Sequence, residues 1–144
     1  MQNFIYPVNL IPDEQDGGYV VMFPDIPEAI TQGENIKDAL NEAIDCLEEA
    51  IASRIVTSQK IPSPSPKSQF RYTVPVPAGM AAKAALYIAM KEAGITNVEL
   101  AKRLNCDEKE VRRLLSPKHK SKIPRINEAL FALGKQLVLS MKAA

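Results

Sequence analysis

Residues 106 to 125, CDEKEVRRLLSPKHKSKIPR, contain seven lysine or arginine side chains and one histidine within twenty positions. At about 100° per residue, the helical part of this segment has one polar side, formed by Lys109, Arg112, Arg113 and Ser116. Its opposite side is apolar and consists of Val111, Leu114 and Leu115. Because a DNA major groove admits one α-helix and an arginine can bind a guanine with two hydrogen bonds, the segment predicts a DNA-reading helix. A solvated, charged helix without a ligand is the alternative.

The loop after this helix carries three more lysines, Lys118, Lys120 and Lys122, followed by Arg125. Contacts between such side chains and phosphates fix a protein's orientation on DNA, whereas contacts with base edges give sequence specificity. We therefore expect the loop to hold the flanking DNA backbone and the helix to read bases. His119 is the only histidine of the chain, and its position among lysines favours a phosphate neighbour or a plain surface residue over a catalytic base.

Two short, capped helices are expected to position the basic segment. Thr96 precedes NVELAKRL, with Glu99 three residues later, which is the pattern of a capping box. After a turn at 105–106, Asp107 can cap the next helix, with Glu110 in the reciprocal position. Two capped helices joined by a tight turn predict a helix-turn-helix.

Further helices are expected on both sides of this pair, from Met80 to Ala93 and from about Pro124 to Leu133, because a glycine stops each pattern. The following run, KQLVLSM, is β-rich and predicts a short strand. An exposed, unpaired strand favours association, so Leu137, Val138 and Leu139 are predicted to pair with a symmetry mate. The resulting homodimer would present two reading helices to adjacent half-sites. A tetramer is the alternative assembly. Docking of this strand on its own domain is the alternative.

The first half of the chain has a different pattern. FIYPVNLI and YVVMF flank the turn-rich PDEQDGG, which is typical of a β-hairpin. From Ile36, apolar residues recur every three or four positions and predict an amphipathic helix of about 18 residues. IPSPSP then interrupts regular structure, and QFRYTVPV predicts a third strand, which gives the order β-β-α-β. We expect the prolines to form a stiff connector; a ligand for a proline-binding groove is the alternative.

The two halves also differ in charge. Residues 1–76 contain 5 basic and 11 acidic side chains, a formal charge of −6. Residues 77–144 contain 13 basic and 6 acidic side chains, a formal charge of +7. We therefore expect two domains, 1–76 and 80–144, with partners of opposite charge.

Composition limits the functions further. The chain contains no run of 18 apolar residues, and its first residues lack the basic and apolar regions of a signal peptide, so a cytoplasmic protein without a membrane partner is expected. Cys46 and Cys106 stand alone, without a CxxC motif or a histidine cluster, and are expected to be packed thiols. We expect no metal site and no cofactor.

Together these motifs resemble the HicB antitoxins of HicA/HicB toxin–antitoxin systems. The N-terminal part of the resemblance is GGYVVMFPDIPEAITQGENIKDALNEAIDCLEEAI, followed by the proline-rich IPSPSP. The C-terminal part, TNVELAKRLNCDEKEVRRLL with INEALFALGKQLVL, resembles the family branch that carries a helix-turn-helix, whereas another branch carries a ribbon-helix-helix. The resemblance implies an α+β chain in which a partial ribonuclease-H-like β-β-α-β domain precedes an all-α helix-turn-helix domain with a short C-terminal strand.

The resemblance also implies a function. Such an antitoxin would neutralise a small, basic mRNA interferase, HicA, and would repress its own operon by binding operator double-stranded DNA. The acidic domain would contact the toxin, with candidate residues Tyr19, Phe23, Asp25, Ile26, Glu28, Glu42, Asp45 and Glu49. A free-standing repressor whose N-terminal domain senses another ligand is the alternative.

A residual nuclease is the third possibility. Ribonuclease H chemistry needs carboxylates that converge on two Mg²⁺ ions. The candidates by residue type are Asp25 and the helix acids Glu42, Asp45, Glu48 and Glu49. The helix acids follow the solvent-facing side, so we predict a binding protein without catalytic residues.

Overall fold

The structure, a computed structural model, describes residues 2–143 and divides the chain into two compact units, Met1–Met80 and Ala81–Ala144. The first unit contains a four-stranded antiparallel sheet and a long helix, and the second contains short helices. The predicted α+β class is therefore confirmed. None of the helices within residues 2–143 is long and apolar enough to cross a membrane.

The sheet of the N-terminal unit has the strand order β3-β2-β1-β4, and every neighbouring pair is antiparallel. Its strands are β1 (Ile5–Pro12), β2 (Tyr19–Met22), β3 (Ile30–Gly33) and β4 (Tyr72–Pro75). The register pairs Leu10 with Val21 and Tyr6 with Val74, so these side chains lie on the same face. The predicted hairpin of β1 and β2 is confirmed.

The third strand, β3, corrects the predicted order β-β-α-β, in which no strand was expected between the hairpin and the long helix. This segment pairs with β2 over four residues but has no buried side chain of its own, so it lacks an apolar pattern. Gly33 ends the strand where the helix passes close by. A Cβ at this position would lie 2.4 Å from the backbone of Ala39, so only glycine fits without a backbone shift.

The long helix of this unit, α1, spans Ile36–Val56 and is three residues longer than expected. Asn35 caps it by accepting a hydrogen bond from Asp38 N at 2.8 Å. Its apolar side packs on one face of the sheet, where the largest fully buried side chains are Tyr6, Phe23, Ile26, Leu47 and Ile51. The core of the N-terminal unit therefore lies between α1 and the sheet.

The helices of the C-terminal unit are α2 (Ala78–Ala93), α3 (Asn97–Leu104), α4 (Glu108–Leu115) and α5 (Ile123–Phe131). They share one core, centred on side chains that are 0% exposed: Leu86, Leu100, Val111, Ile126 and Ala129. Within the single chain, residues 135–143 form no strand, and the predicted pairing of this segment with a symmetry mate stays a prediction. A strand needs a neighbouring strand to pair with, and none of the four strands within residues 2–143 pairs with these residues.

Candidate functional site

Side-chain caps fix the connection between α3 and α4. Thr96 Oγ1 accepts a hydrogen bond from Glu99 N at 3.2 Å, and a carboxylate oxygen of Glu99 accepts one from Thr96 N at 3.4 Å, so the predicted capping box is confirmed. α3 ends at Asn105, whose left-handed φ of 52° turns the chain. α4 begins after Asp107, whose carboxylate accepts a hydrogen bond from Lys109 N at 3.2 Å. The start of the basic helix is thus fixed by local contacts.

The two sides of α4 separate as the sequence predicts. Val111 and Leu114 are 0% and 3% exposed, whereas Lys109, Arg112 and Arg113 point away from the core and are exposed. Arg112 approaches Glu108 on the same helix, but the 3.6 Å separation and high exposure make this a weak ion pair. The polar side of α4 therefore presents cations that remain available to a ligand.

The loop between α4 and α5 continues this cationic surface. Lys118, Lys120 and Lys122 are exposed, and within residues 2–143 no ion pair involves any of the three. Ser116 is half-buried and forms the C-terminal cap of α4, with its backbone N–H donating to Arg112 O at 3.0 Å. Ser116 therefore ends α4, in addition to its predicted place on the polar side of the helix.

The prediction that Arg125 holds the DNA backbone together with the loop lysines is corrected, because its guanidinium binds two glutamates. Its Nε donates to Glu110 Oε1 at 2.7 Å, and its Nη1 donates to Glu128 Oε2 at 2.9 Å. The hydrogen bond from Arg125 lowers the pKa of Glu110, and the same contact raises the pKa of Arg125. Glu110 therefore links α4 to α5 and does not complete a second capping box with Asp107, whose carboxylate binds Lys109 N instead.

The burial of one charged residue in the C-terminal unit was not predicted from the sequence. Lys83, on α2, is only 4% exposed, and its ammonium donates to Arg113 O at 3.0 Å and to Leu114 O at 2.9 Å. The signal in the sequence is a single lysine within the otherwise apolar run AAKAALYIAM. A lone lysine in an apolar helix does not by itself predict a buried ammonium. The backbone carbonyls that accept its hydrogen bonds belong to α4, which is distant in sequence.

In the N-terminal unit, the segment after β2 is held by its neighbours. A carboxylate oxygen of Asp25 accepts a hydrogen bond from Ser65 N at 2.8 Å, and the other accepts one from Ser65 Oγ. Arg54 of α1 donates two hydrogen bonds to the Glu28 carboxylate, at 2.6 and 2.8 Å, and a third to Lys60 O at 2.7 Å. The pair with Arg54 lowers the pKa of Glu28. These contacts tie the PDIPEA segment to the helix and to the proline-rich connector.

Tyr6 adds a further contact to the connector, because its hydroxyl donates to Pro62 O at 2.7 Å. Burial raises the pKa of Tyr6 to about 12, and the nearby negative charge of Asp25 acts in the same direction. Ile61 is also buried, at 5% exposure. The proline-rich stretch is therefore fixed to its own unit, as a connector would be.

The predicted partner residues fall into three groups by exposure. Phe23 and Ile26 are 2% and 0% exposed, so the prediction that their side chains contact a partner is corrected: they shape the segment from within the core. Tyr19 and Asp25 are half-buried. The exposed members are Glu28, Glu42, Asp45 and Glu49, and the last three lie on the outer side of α1.

The candidate metal-binding carboxylates do not converge. Within residues 2–143 no group of three or more His, Cys, Asp or Glu side chains is arranged to hold a metal ion. Both oxygens of Asp25 bind Ser65, and Glu42, Asp45 and Glu49 face outward from α1. Cys46 and Cys106 are half-buried free thiols, and burial raises the pKa of both.

The predicted dimerisation residues differ in exposure. Leu137 packs against the core of the C-terminal unit, and its N–H donates to Asn127 Oδ1 at 2.9 Å. Val138 and Leu139 are 66% and 93% exposed. Phe131, at the end of α5, is 73% exposed and was not singled out by the sequence analysis. The tail therefore begins attached to its own unit and continues with apolar side chains in solvent.

Comparison with known proteins defines the class of this chain, which is that of antitoxins from bacterial toxin–antitoxin systems. A family described as HicB-like antitoxin of bacterial toxin-antitoxin system matches residues 5–85. Antitoxin HicB of Escherichia coli strain K12 is 40% identical over 136 residues, covering 94% of this chain and 98% of that protein. Antitoxin HicB 1 of Photorhabdus laumondii is 39% identical over 142 residues, covering 99% of this chain and 90% of that protein. Antitoxin HicB 2 of the same organism is 42% identical over 138 residues, covering 96% of each chain.

The chain belongs to the HicB antitoxin family. The resemblance found in the sequence motifs is thereby confirmed, and membership implies a toxin as partner.

Proposed function

We propose that this chain neutralises a HicA-like mRNA-interferase toxin through its acidic N-terminal unit and represses its own operon by binding operator DNA through α3, α4 and the loop after α4. The observation that carries the DNA half of the proposal is the set of exposed cations on α4 and its following loop: Lys109, Arg112, Arg113, Lys118, Lys120 and Lys122. A repressor acts where the DNA is, so a cytoplasmic location belongs to the same proposal.

The geometry of α4 supports the proposed DNA contact. In a helix-turn-helix, the second helix enters the major groove and its polar side meets base edges. Arg112 and Arg113 lie on that side and can bind guanines, and Lys109 lies near the N-terminal end of the helix, which favours phosphate. The exposed loop lysines would bind flanking phosphates and release counterions, which makes the affinity depend on salt.

The toxin contact is proposed for the exposed acids of the N-terminal unit. Glu42, Asp45 and Glu49 project from the outer side of α1, where they would attract a basic, RNA-binding protein and compete with RNA phosphates. The PDIPEA segment is a second contact candidate, because Asp25 and Glu28 are held in place by Ser65 and Arg54. Neutralisation by occlusion needs no chemistry from this chain, so we propose a binding protein and not an enzyme.

The test uses single alanine variants of the full-length chain. Arg112→Ala and Arg113→Ala should each reduce discrimination between operator and random DNA by about 1–3 kcal/mol, because a bidentate base contact is worth that much. Lys135→Ala, which removes an exposed cation beyond α5, outside the proposed DNA-binding surface, is the control. Neutralisation of the toxin should be unchanged in all three. Equal losses on operator and random DNA would assign the arginines to phosphates instead.

We also propose that the chain acts as a homodimer joined through its C-terminal tail. Support comes from the large apolar side chains of Val138, Leu139 and Phe131, each of which is mostly exposed to solvent. Removal of residues 138–144 should convert the dimer to a monomer in light scattering, with Lys135→Ala as a control. An unchanged dimer after this truncation would contradict the proposed interface.

A further inference from the structure

Lys83 is the only charged or polar side chain within residues 2–143 that is buried, with 4% of its surface exposed. Its ammonium has three donors, and three acceptors surround it. They are Arg113 O at 3.0 Å, Leu114 O at 2.9 Å and Ser121 Oγ at 2.8 Å. Two of these acceptors belong to the last turn of α4, and the third belongs to the loop that carries the exposed lysines.

The carbonyls bound by Lys83 are of the kind that a helix cannot satisfy by itself, because the last four carbonyls of a helix lack an intrahelical donor. A cation at this end also interacts favourably with the helix dipole. Ser121 Oγ donates in turn to Arg113 O at 3.2 Å, so the helix end, the loop and the ammonium form one hydrogen-bonded group. Lys83 thus connects α2 to both parts of the cationic surface.

This arrangement is costly for the fold, because the ammonium is removed from water without a carboxylate partner. None of the ion pairs within residues 2–143 includes Lys83. Burial lowers the pKa of Lys83 to about 8. The contribution of the buried ammonium is therefore its hydrogen bonds to α4 and the loop, which hold these two segments in position relative to each other.

We propose that Lys83 is a positioning residue for DNA binding, which holds the C-terminal end of α4 and the loop 116–122 in one fixed arrangement so that the reading helix and the phosphate-binding lysines engage DNA together. The proposal rests on the proposed function of the C-terminal unit. It assigns no DNA contact to Lys83 itself, since the side chain is buried.

The arrangement makes operator binding depend on pH. When Lys83 loses its proton, the amine retains two donors for three acceptors and the positive charge at the end of α4 disappears. The other titratable or charged groups on the elements around it are Tyr87, Lys91 and Glu92 on α2, Glu108, Lys109, Glu110, Arg112 and Arg113 on α4, and Lys118, His119, Lys120 and Lys122 in the loop. His119 Nδ1 lies 3.2 Å from Ser121 Oγ, so it also borders this group.

The decisive variant is Lys83→Met, which keeps the length of the side chain and removes its donors, in the full-length protein. Lys91→Met is the matched control, because Lys91 lies on the same helix with an exposed side chain over the ring of Tyr87. At pH 7, Lys83→Met should bind operator DNA about tenfold more weakly than the parent chain, the scale of a charge-assisted hydrogen bond. Lys91→Met should bind as the parent chain does, and both should bind the toxin normally.

A pH titration separates positioning from loss of structure. Between pH 7 and pH 9 the affinity of the parent chain for operator DNA should fall about tenfold toward that of Lys83→Met, while the variant's own profile should lack this step. The pKa of Lys83 is lower in the folded chain than in the unfolded chain, so the unfolded state binds more protons above pH 8 and the unfolding free energy rises with pH there. Loss of the Lys83 proton therefore does not itself destabilise the fold over this range.

Three results would overturn the inference: equal operator affinity of Lys83→Met and the parent chain, the same pH step in both proteins, or an affinity of the parent chain that does not change between pH 7 and pH 9. The last measurement needs no variant, so it decides the matter even if Lys83→Met does not fold. Failure of the parent chain to bind operator DNA at pH 7 would instead refute the proposed DNA-binding function itself.

Discussion

Each unit uses one arginine to bind carboxylates internally, but the two units differ in the charges that they leave exposed. Arg54 in the N-terminal unit binds the Glu28 carboxylate, and Arg125 in the C-terminal unit binds Glu110 of α4 and Glu128 of its own helix, at 2.6 to 2.9 Å. The C-terminal unit also buries Lys83 without a carboxylate and leaves six cations of α4 and the next loop exposed. The N-terminal unit instead exposes Glu42, Asp45 and Glu49 of α1.

This difference shows that the charge of a segment and the charge it offers to a partner are separate quantities. Residues 106–125 contain seven lysine or arginine residues, but Arg125 is committed to Glu110 and Glu128. In the N-terminal unit, Glu28 likewise pairs with Arg54, and Asp25 accepts hydrogen bonds from Ser65. What remains exposed, a cationic surface in one unit and an acidic helix side in the other, is what can attract partners of opposite charge.

The largest test of this comparison concerns the separate cores. Leu47→Ala in the N-terminal unit and Leu100→Ala in the C-terminal unit each remove a side chain that is 0% exposed and should lower the free energy of unfolding by about 2–5 kcal/mol. Hydrogen exchange measured along the full-length chain should show loss of protection mainly in the unit that carries the change. We expect Leu47→Ala to weaken toxin binding and Leu100→Ala to weaken operator binding.

Equal loss of protection in both units from either variant would end the comparison, because the chain would then unfold as one cooperative body. Denaturant unfolding followed by two probes, one in each unit, is the companion measurement.

A smaller effect is expected from reversing charge on the acidic helix. The double variant Glu42→Lys/Asp45→Lys should weaken toxin binding about a hundredfold, because like charges facing each other across an interface are unfavourable by several kcal/mol. Glu14→Lys/Asp16→Lys changes the net charge equally in the connection between β1 and β2 and is the matched control. Isothermal titration calorimetry with the purified toxin measures both.

If the two double variants weaken toxin binding equally, net charge and not the surface of α1 governs the interaction. If neither affects it, the acidic side of α1 is not the toxin contact.

The smallest effect compares the two internal ion pairs. The folded-state pKa of Glu28 and that of Glu110 lie below the ordinary value of 4.5, mainly because of hydrogen bonds from Arg54 and Arg125. Their contribution to stability is therefore present above pH 4.5 and is lost as the pH falls through the folded-state pKa values. Both carboxylates are partly exposed, so Glu28→Gln and Glu110→Gln should each reduce stability at pH 7 by less than about 1 kcal/mol.

Thermal unfolding at pH 7 and at pH 3 measures this contribution. The difference between each variant and the parent chain should shrink at pH 3, and an unchanged difference would show that the glutamine disturbs packing instead. Glu14→Gln serves as the exposed control.

Much of the local structure could be predicted because its determinants are near in sequence. The capping box of Thr96 and Glu99 and the apolar period of α1 involve residues within one or two turns of each other. β3 could not be predicted, because its four residues become a strand only through pairing with β2. The predicted capping box of Asp107 and Glu110 was wrong for a related reason. The Glu110 carboxylate binds Arg125, which is distant in sequence, and not the backbone of the nearby Asp107.

The sequence alone determined the α+β class, the segregation of charge into two halves, the positions of most helices and the family to which the chain belongs. Tertiary structure decided which charged side chains remain exposed: it buried Phe23 and Ile26, paired Arg125 with two glutamates and enclosed Lys83 among the carbonyls of another helix. The physical reason is that helix periodicity and charge are sums over neighbouring residues, whereas burial and hydrogen bonding depend on groups that only folding brings within about 3 Å of each other.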